Sequence, residues 1–283
     1  MCWHSCAAIS CPEASMPLAA PPALPLHSPL PHLGAASVQQ LEQRGFNAWP
    51  APRSAVAGDW LLRSAAGHTK RANSANALQP GTALTAQLLR QIEAFYADQQ
   101  LPCIFRLSPL AGAGVDELLQ AQGYRSVDPS IVMQRAAQDD DAQWQPAAGL
   151  ALELEAQLGQ RWLDGHCAAS AHPPHLQPAH RMILQSIGMR CAYASLLQAG
   201  EVRAWGLAVF ERDAVGLYEV LVHPAHRGQG WGRQMLQALL RWAARQGATH
   251  TDLQVRDGNR AAQQLYASLG FAPAYGYHYR VKS

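Results

Sequence analysis

Lysine is nearly missing from this chain: of 283 residues only Lys70 and Lys282 carry an ammonium side chain. A nucleoside-triphosphate loop ends on Gly-Lys-Ser/Thr, and both lysines lie far from the chain's glycine-rich loop, so such a loop is not expected here. Positive charge is therefore arginine. With 22 Lys and Arg against 20 Asp and Glu, the net charge is +2, and the basic residues are scattered among carboxylates rather than gathered on one face. Nucleic acid is not an expected partner. Long apolar runs are also missing. None approaches the ~20 residues that cross a bilayer, and the N-terminus lacks a basic segment followed by an apolar core. No membrane association is expected, and the chain reads as cytoplasmic.

Cysteine is scarce, at positions 2, 6, 11, 103, 167 and 191, and follows no metal-ligand spacing. Three of the six fall in residues 1–35, a Pro/Ala-rich stretch that reads as a disordered leader. Cys2, His4, Cys6 and Cys11 could hold zinc in principle, but no surrounding fold supports them, and Met16 is an alternative start. His166, His172, His175 and His180 also invite a metal reading. Pro173-Pro174 breaks any helix between them and no carboxylate lies inside the segment, so a loop is expected and no metal site.

What the chain does have is a distinctive run at residues 220–236: an apolar strand, Pro224, a glycine loop and a helix start. Gly228, Gly230 and Gly232 let the backbone turn its N–H groups toward one point, and the following helix adds unpaired amides and a positive dipole end. Phosphate oxygens suit such a cradle. A dinucleotide fingerprint would need a further glycine at Arg233 or Met235, so the Rossmann reading fails. Downstream, Trp231, Met235, Leu236, Leu239, Leu240 and Ala243 keep to one helical face, with Gly247 as the stop. Residues 251–256 then alternate as a strand, and a second helix starts at Asn259 and closes at Gly270-Phe271.

The hexapeptide Arg227-Gly228-Gln229-Gly230-Trp231-Gly232 resembles the pyrophosphate loop of the GNAT superfamily of acyl-CoA-dependent N-acyltransferases. The second helix, with Asn259, Leu265-Tyr266 and Gly270-Phe271, is similar to a second signature of that superfamily. The resemblance implies an α/β (α+β) fold with a mixed, mostly antiparallel sheet flanked by helices. It also implies acetyl-CoA, or another acyl-CoA, as co-substrate, held by Leu221, Val222, Arg227, Gly228, Gln229, Gly230, Trp231, Gly232, Arg233 and Asn259. Asn259 serves equally well as a plain helix cap.

Acyl transfer from a thioester to an amine needs a proton acceptor, a polarised carbonyl and a stabilised thiolate. Tyr266 is the candidate for the thiolate. Phenol and thiol reference values of about 10 and 8.5 make full proton transfer uphill by roughly 2 kcal/mol, which favours a hydrogen-bond role; a tyrosine simply packed in the core is the alternative. Glu219 is the candidate base. It interrupts an apolar strand, and burial is expected to raise its pKa toward neutrality; an ion pair with Arg203 or Arg233 is the alternative. A backbone amide near Val222 is expected to polarise the carbonyl.

Ahead of the loop, residues 190–198, 202–210 and 215–222 read as an antiparallel meander. With strands at 150–158 and 274–282, residues 147–283 make a complete GNAT-sized domain, preceded by an acidic linker at 138–146. Residues 36–137 read as a degenerate copy: helix 82–97, strand 102–107, helix 115–122 and strand 130–134 repeat the later order. Leu118-Leu119 and Gly123-Tyr124 align with Leu265-Tyr266 and Gly270-Phe271, so Leu119 stands where the tyrosine should be. The glycine loop is missing from this half. Polar and aromatic runs at 58–63 and 68–74 fall on expected strands; solvated hairpin residues are the commoner explanation, and a reach toward the acceptor site is the alternative.

The expected activity is transfer of an acetyl group from acetyl-CoA to a primary amine, on a small molecule or a peptide, by direct attack. A non-catalytic acyl-CoA-binding regulatory module is the alternative, and a nucleotide-binding α/β protein the third reading. The sequence sets neither the acceptor nor the oligomeric state.

Overall fold

The computed structural model of the protein describes residues 35–282. The expected leader up to residue 34, with Cys2, His4, Cys6, Cys11 and Met16, lies outside the described residues. The first half contains α1 (Ala35–Ala48), β1 (Arg53–Ala57), β2 (Trp60–Ser64), β3 (Ala75–Ala77), α2 (Ala86–Ala97), β4 (Cys103–Leu107), α3 (Val115–Ala121) and β5 (Arg125–Ala136). The second contains β6 (Leu150–Glu155), α4 (Gln160–Ala169), α5 (Gln177–Gln185), β7 (Arg190–Gln198), β8 (Glu201–Glu211), β9 (Ala214–Val222), α6 (Trp231–Arg245), β10 (His250–Arg256), α7 (Arg260–Ala267) and β11 (Ala272–Lys282).

All eleven strands form one sheet in the order β1-β2-β3-β4-β11-β5-β10-β9-β8-β7-β6. The pairings are antiparallel except β3 with β4 and β10 with β9. This is the expected mixed, mostly antiparallel sheet, and the meander β7-β8-β9 forms as read. One feature was not legible. β11 inserts between β4 and β5, while β5 lies between β11 and β10, so each half takes a strand from the other.

Side chains reinforce the interleaving. On β11, Arg280 Nε donates to Asp116 Oδ1 of α3 at 2.6 Å, and Tyr275 donates to Glu42 Oε1 of α1 at 2.6 Å. Glu42 also pairs with the buried Arg106 of β4. Burial pushes the Asp116 carboxyl up, but Arg280 and His278 outweigh it and hold the group below the usual aspartate range. A depressed carboxyl stabilises the fold above its unfolded pKa, near 3.9, and that contribution is lost as pH falls through the folded value. Asp116→Asn is therefore expected to cost about 2 kcal/mol at pH 7, with the gap closing at acid pH. Denaturant midpoints of both proteins at neutral pH and below the aspartate range check this; an unchanged gap contradicts it.

Three apolar clusters flank the sheet. One fills the first half around Trp60, Ile92, Phe105 and Leu119. A second packs α6, through Met235, Leu236 and Leu239, onto Leu217 and Leu253. The third, on the opposite face, joins Trp49, Ala65 and Ala72 of the first half to Trp162, Ile183, Tyr193, Trp205 and Tyr218 of the second.

Two expected elements need correction. The helix placed at 82–97 starts at Ala86, because Thr82 gives its N–H to Leu110 O at 3.0 Å and Thr85 caps the helix by accepting from Leu88 N. Residues 68–74 are a folded-back turn with a short 3-10 segment, Lys70–Ala72, rather than a strand. Asn73 explains it. Its Oδ1 accepts from Ala65 N and Gly67 N, and its Nδ2 donates to His68 O and Thr69 O, all at 2.8–3.0 Å.

Candidate active site

The glycine loop is built as its residues require. Gly228 and Gly230 have φ of 75° and 86°, a region that L side chains avoid. Gly230 is the N-cap of α6 and supplies no side-chain hydrogen bond, which leaves the first amides of that helix without a capping partner. Gly232 serves packing instead: a Cβ there would meet Leu265 Cδ2 at 3.2 Å. Arg227 and Gln229 are exposed, Arg233 donates to Ser268 Oγ at 2.7 Å, and the Trp231 side chain is buried in the core. Of Trp231, therefore, only the backbone amide is left to face a ligand.

Beside this loop the sheet opens. β10 pairs with β9 only as far as Leu253 opposite Leu217, so residues 218–222 of β9 have no partner from β10. His223 spends its N–H on Arg203 O at 2.9 Å. By strand alternation Val222 turns its N–H the other way, into the gap. Leu221 packs against the third cluster and Val222 against the second. Asn259 caps α7, accepting from Ala262 N at 3.2 Å.

The opening is produced by a bulge. The β8–β9 register shifts between Trp205 and Leu207, and on the opposing strand Glu219 has φ 50°. A left-handed non-glycine residue costs about 1–3 kcal/mol and persists only where its surroundings hold it. Here histidines do so. His180 Nε2 lies 3.0 Å and His166 Nε2 3.3 Å from the same oxygen, Glu219 Oε2. The gap is a cleft of about 230 Å³ lined by Arg71, Leu217, Tyr218, Glu219, Val220, Leu253, Gln254 and Tyr266. Glu219 and Tyr266, far apart in sequence, thus line one cleft. A larger recess of about 520 Å³ near Arg233 and Gly270 contains neither, so size does not mark the site.

The expected elevation of the Glu219 pKa is corrected. Burial does push it up, but His166, His180 and Arg71 together outweigh burial and bring it down to about 2. The alternative ion-pair partners are corrected too, because Arg203 is engaged by Glu201 and His226 and Arg233 by Ser268. Tyr266 is raised by burial, so its phenol stays protonated. Among the described residues its hydroxyl has no hydrogen-bond partner.

Sequence reasoning weighed these histidines together but set them aside as a loop, without the carboxylate that they meet. The segment expected as a plain loop carries His166 on α4 and His180 on α5, broken at Pro173-Pro174 as read. The carboxylate missing from that segment arrives from β9. His68 and Arg71 of the first half reach the same place: His172 Nε2 is 3.3 Å from His68 Nδ1, and Arg71 lines the cleft. Burial and the neighbouring imidazoles lower His68 to about 4.

With a splayed strand pair beside a glycine loop that opens a helix, the fold and its relatives make this chain a GNAT-type N-acetyltransferase, here in tandem form. The chain belongs to the family described as "Probable histone acetyltransferase Rv0428c C-terminal", whose model matches residues 35–280. It is 28% identical over 245 residues to the "Uncharacterized N-acetyltransferase YobR" of Bacillus subtilis, covering 87% of this chain and 98% of that one. In fold it is similar to a GCN5-related N-acetyltransferase from Kribbella flavida, with a TM-score of 0.67 at 17% identity over 88% of this chain and 95% of that one. A tandem GNAT protein from the clavulanic acid biosynthesis pathway gives a TM-score of 0.60 at 14% identity, over 86% and 87%. No helix among the described residues is long and apolar enough to cross a membrane.

Proposed function

We propose that this protein moves the acetyl group of acetyl-CoA to a primary amine by direct attack, on a small-molecule or peptide acceptor. The observation that carries this reading is the convergence of Glu219, Tyr266 and the unpaired edge of β9 on one cleft at the mouth of the glycine loop. Acetyl-CoA supplies the activated thioester, and coenzyme A leaves as the thiol. The amides of residues 228–232, with Arg227, Gln229 and Arg233 at the rim, fit its diphosphate because helix α6 starts without a side-chain cap. Leu221 and Val222 offer the free strand edge, with the Val222 N–H toward the thioester carbonyl, and Asn259 stands at the start of α7.

Tyr266 donates a hydrogen bond to the departing sulfur; raised by burial, it holds its own proton and does not surrender it. Glu219 stays ionised at working pH and draws the acceptor's ammonium into the cleft. Its ability to take up the proton depends on the charge of His166 behind it. When His166 is neutral, its opposing charge is lost, burial weighs more heavily and the carboxylate gains basicity. Burial itself lowers the His166 pKa, which favours that neutral state. A second cleft of about 280 Å³, with Lys70, Asp128, Arg256, Tyr277 and Tyr279, shares Arg71 and Gln254 with the first and gives the acceptor its approach.

The test is thiol release from acetyl-CoA against a panel of amines and peptides. At least one acceptor should drive release, and Tyr266→Phe should lower kcat about 100-fold, the usual cost of one such donor. If coenzyme A binds but no amine drives release, the protein is a non-catalytic binding module.

A further inference from the structure

We propose that His166, His180 and Glu219 form a binding site for one divalent transition-metal ion of the zinc type, in which the ion and the acceptor's proton compete for the same carboxylate oxygen. Zinc bonds of about 2.0–2.1 Å place tetrahedral ligands ~3.3 Å apart. Glu219 Oε2 lies 3.0 Å from His180 Nε2 and 3.3 Å from His166 Nε2, and all three ligand atoms lie within 4.8 Å of one another. Two imidazoles and one carboxylate are a donor set that suits zinc, cobalt or nickel rather than calcium or magnesium.

The donors are held in place. His166 stacks on Trp162 with centroids 5.0 Å apart and planes within 8°. His180 is fully buried, and its Nδ1 faces Cys167 Sγ at 3.6 Å, which leaves Nε2 toward the carboxylate. Because Glu219 lines the cleft, a further coordination position opens to incoming molecules. His68, His172 and His180 make a neighbouring set of three imidazoles. Both sets use His180, and the one containing Glu219 lies on the cleft, so the ion is assigned there.

Competition follows from the shared oxygen. An ion on Oε2 removes the lone pair that would take the acceptor's proton, so occupancy switches acetyl transfer off. Binding itself stands apart from the acyl-transfer reading; only this inhibition rests on it.

Full-length protein stripped with a chelator is titrated with Zn²⁺ by calorimetry and with Co²⁺ by visible absorption. One equivalent should bind, with cobalt bands of a low-coordinate nitrogen and oxygen site. His166→Asn and Glu219→Gln should each weaken binding at least ~100-fold, measured below each variant's own thermal midpoint in chelator. X-ray absorption of the zinc-loaded natural sequence should show imidazole nitrogen and carboxylate oxygen, and it decides the matter even where a variant fails to fold. Absence of binding, binding undiminished in both variants, or a sulfur-dominated shell overturns the site. Zn²⁺ should also depress amine-dependent thiol release in step with occupancy, reversed by chelator. Bound metal with release unaffected refutes the competition and leaves acyl transfer standing, whereas bound metal in a protein that never releases thiol refutes acyl transfer and leaves the site standing.

Discussion

Glu219→Gln is expected to lower kcat for amine-dependent thiol release about 1000-fold, within the range that positioned acid–base groups supply, while coenzyme A binding stays at the parent value. The amide keeps the size of the carboxylate and can still meet His180, so the bulge at φ 50° and the cleft beside it should persist. What it removes is the negative charge that attracts the ammonium and the lone pair that takes the proton. Steady-state rates paired with calorimetric binding of coenzyme A separate these effects. A retained kcat would assign proton uptake to another group; a loss of cofactor binding would mean that the substitution had disturbed β9 itself.

Gly230→Val is expected to have the opposite signature. A β-branched residue does not reach φ 86° without strain, and the loop must rotate its amides away from their common focus. Losing two charge-assisted hydrogen bonds, at roughly 1.5–3 kcal/mol each, weakens coenzyme A binding by ~1000-fold. The rise should appear in KM for acetyl-CoA, with thermal stability lowered only by local strain, because an added Cβ at Gly230 meets nothing within 4 Å. Unchanged cofactor affinity would remove the loop from the binding site.

Much of this was legible because the relevant signals are local. The strand ending at Val222, the loop at residues 228–232, the apolar face of α6 and the Asn259 cap each depend on residues within a turn or two of one another. The three-stranded meander was legible for the same reason. α4 and α5 were harder to see because buried histidines occupy apolar positions. His166 sits on the buried face with Trp162, Leu163 and Cys167, and His180 sits with Ala179, Ile183 and Leu184. Counted as polar, they hide the helical period. The pKa of Glu219 was misjudged on the same account, since burial alone was visible and its imidazole partners lie 39 and 53 positions away, at His180 and His166.

Strand interleaving was hidden for a topological reason. β5 and β11 each satisfy the pattern of a last strand in their own half, and nothing in either sequence says which half it pairs with. The structure places both at the junction, so β11 is held by Asp116 and Glu42 of the first half as well as by its sheet neighbours. That junction also brings the turn organised by Asn73 to the second half, where Arg71 lines the cleft with Tyr266 and His68 meets His172. The half without a glycine loop therefore contributes side chains to the cleft of the half that has one.

The most direct measurement of the account is a crystal structure with bound coenzyme A. It should show the diphosphate against the amides of residues 228–232, the pantetheine arm along the free edge of β9, and the sulfur within hydrogen-bonding reach of the Tyr266 hydroxyl. A diphosphate lodged elsewhere, or a sulfur directed away from that phenol and from Glu219, would contradict it.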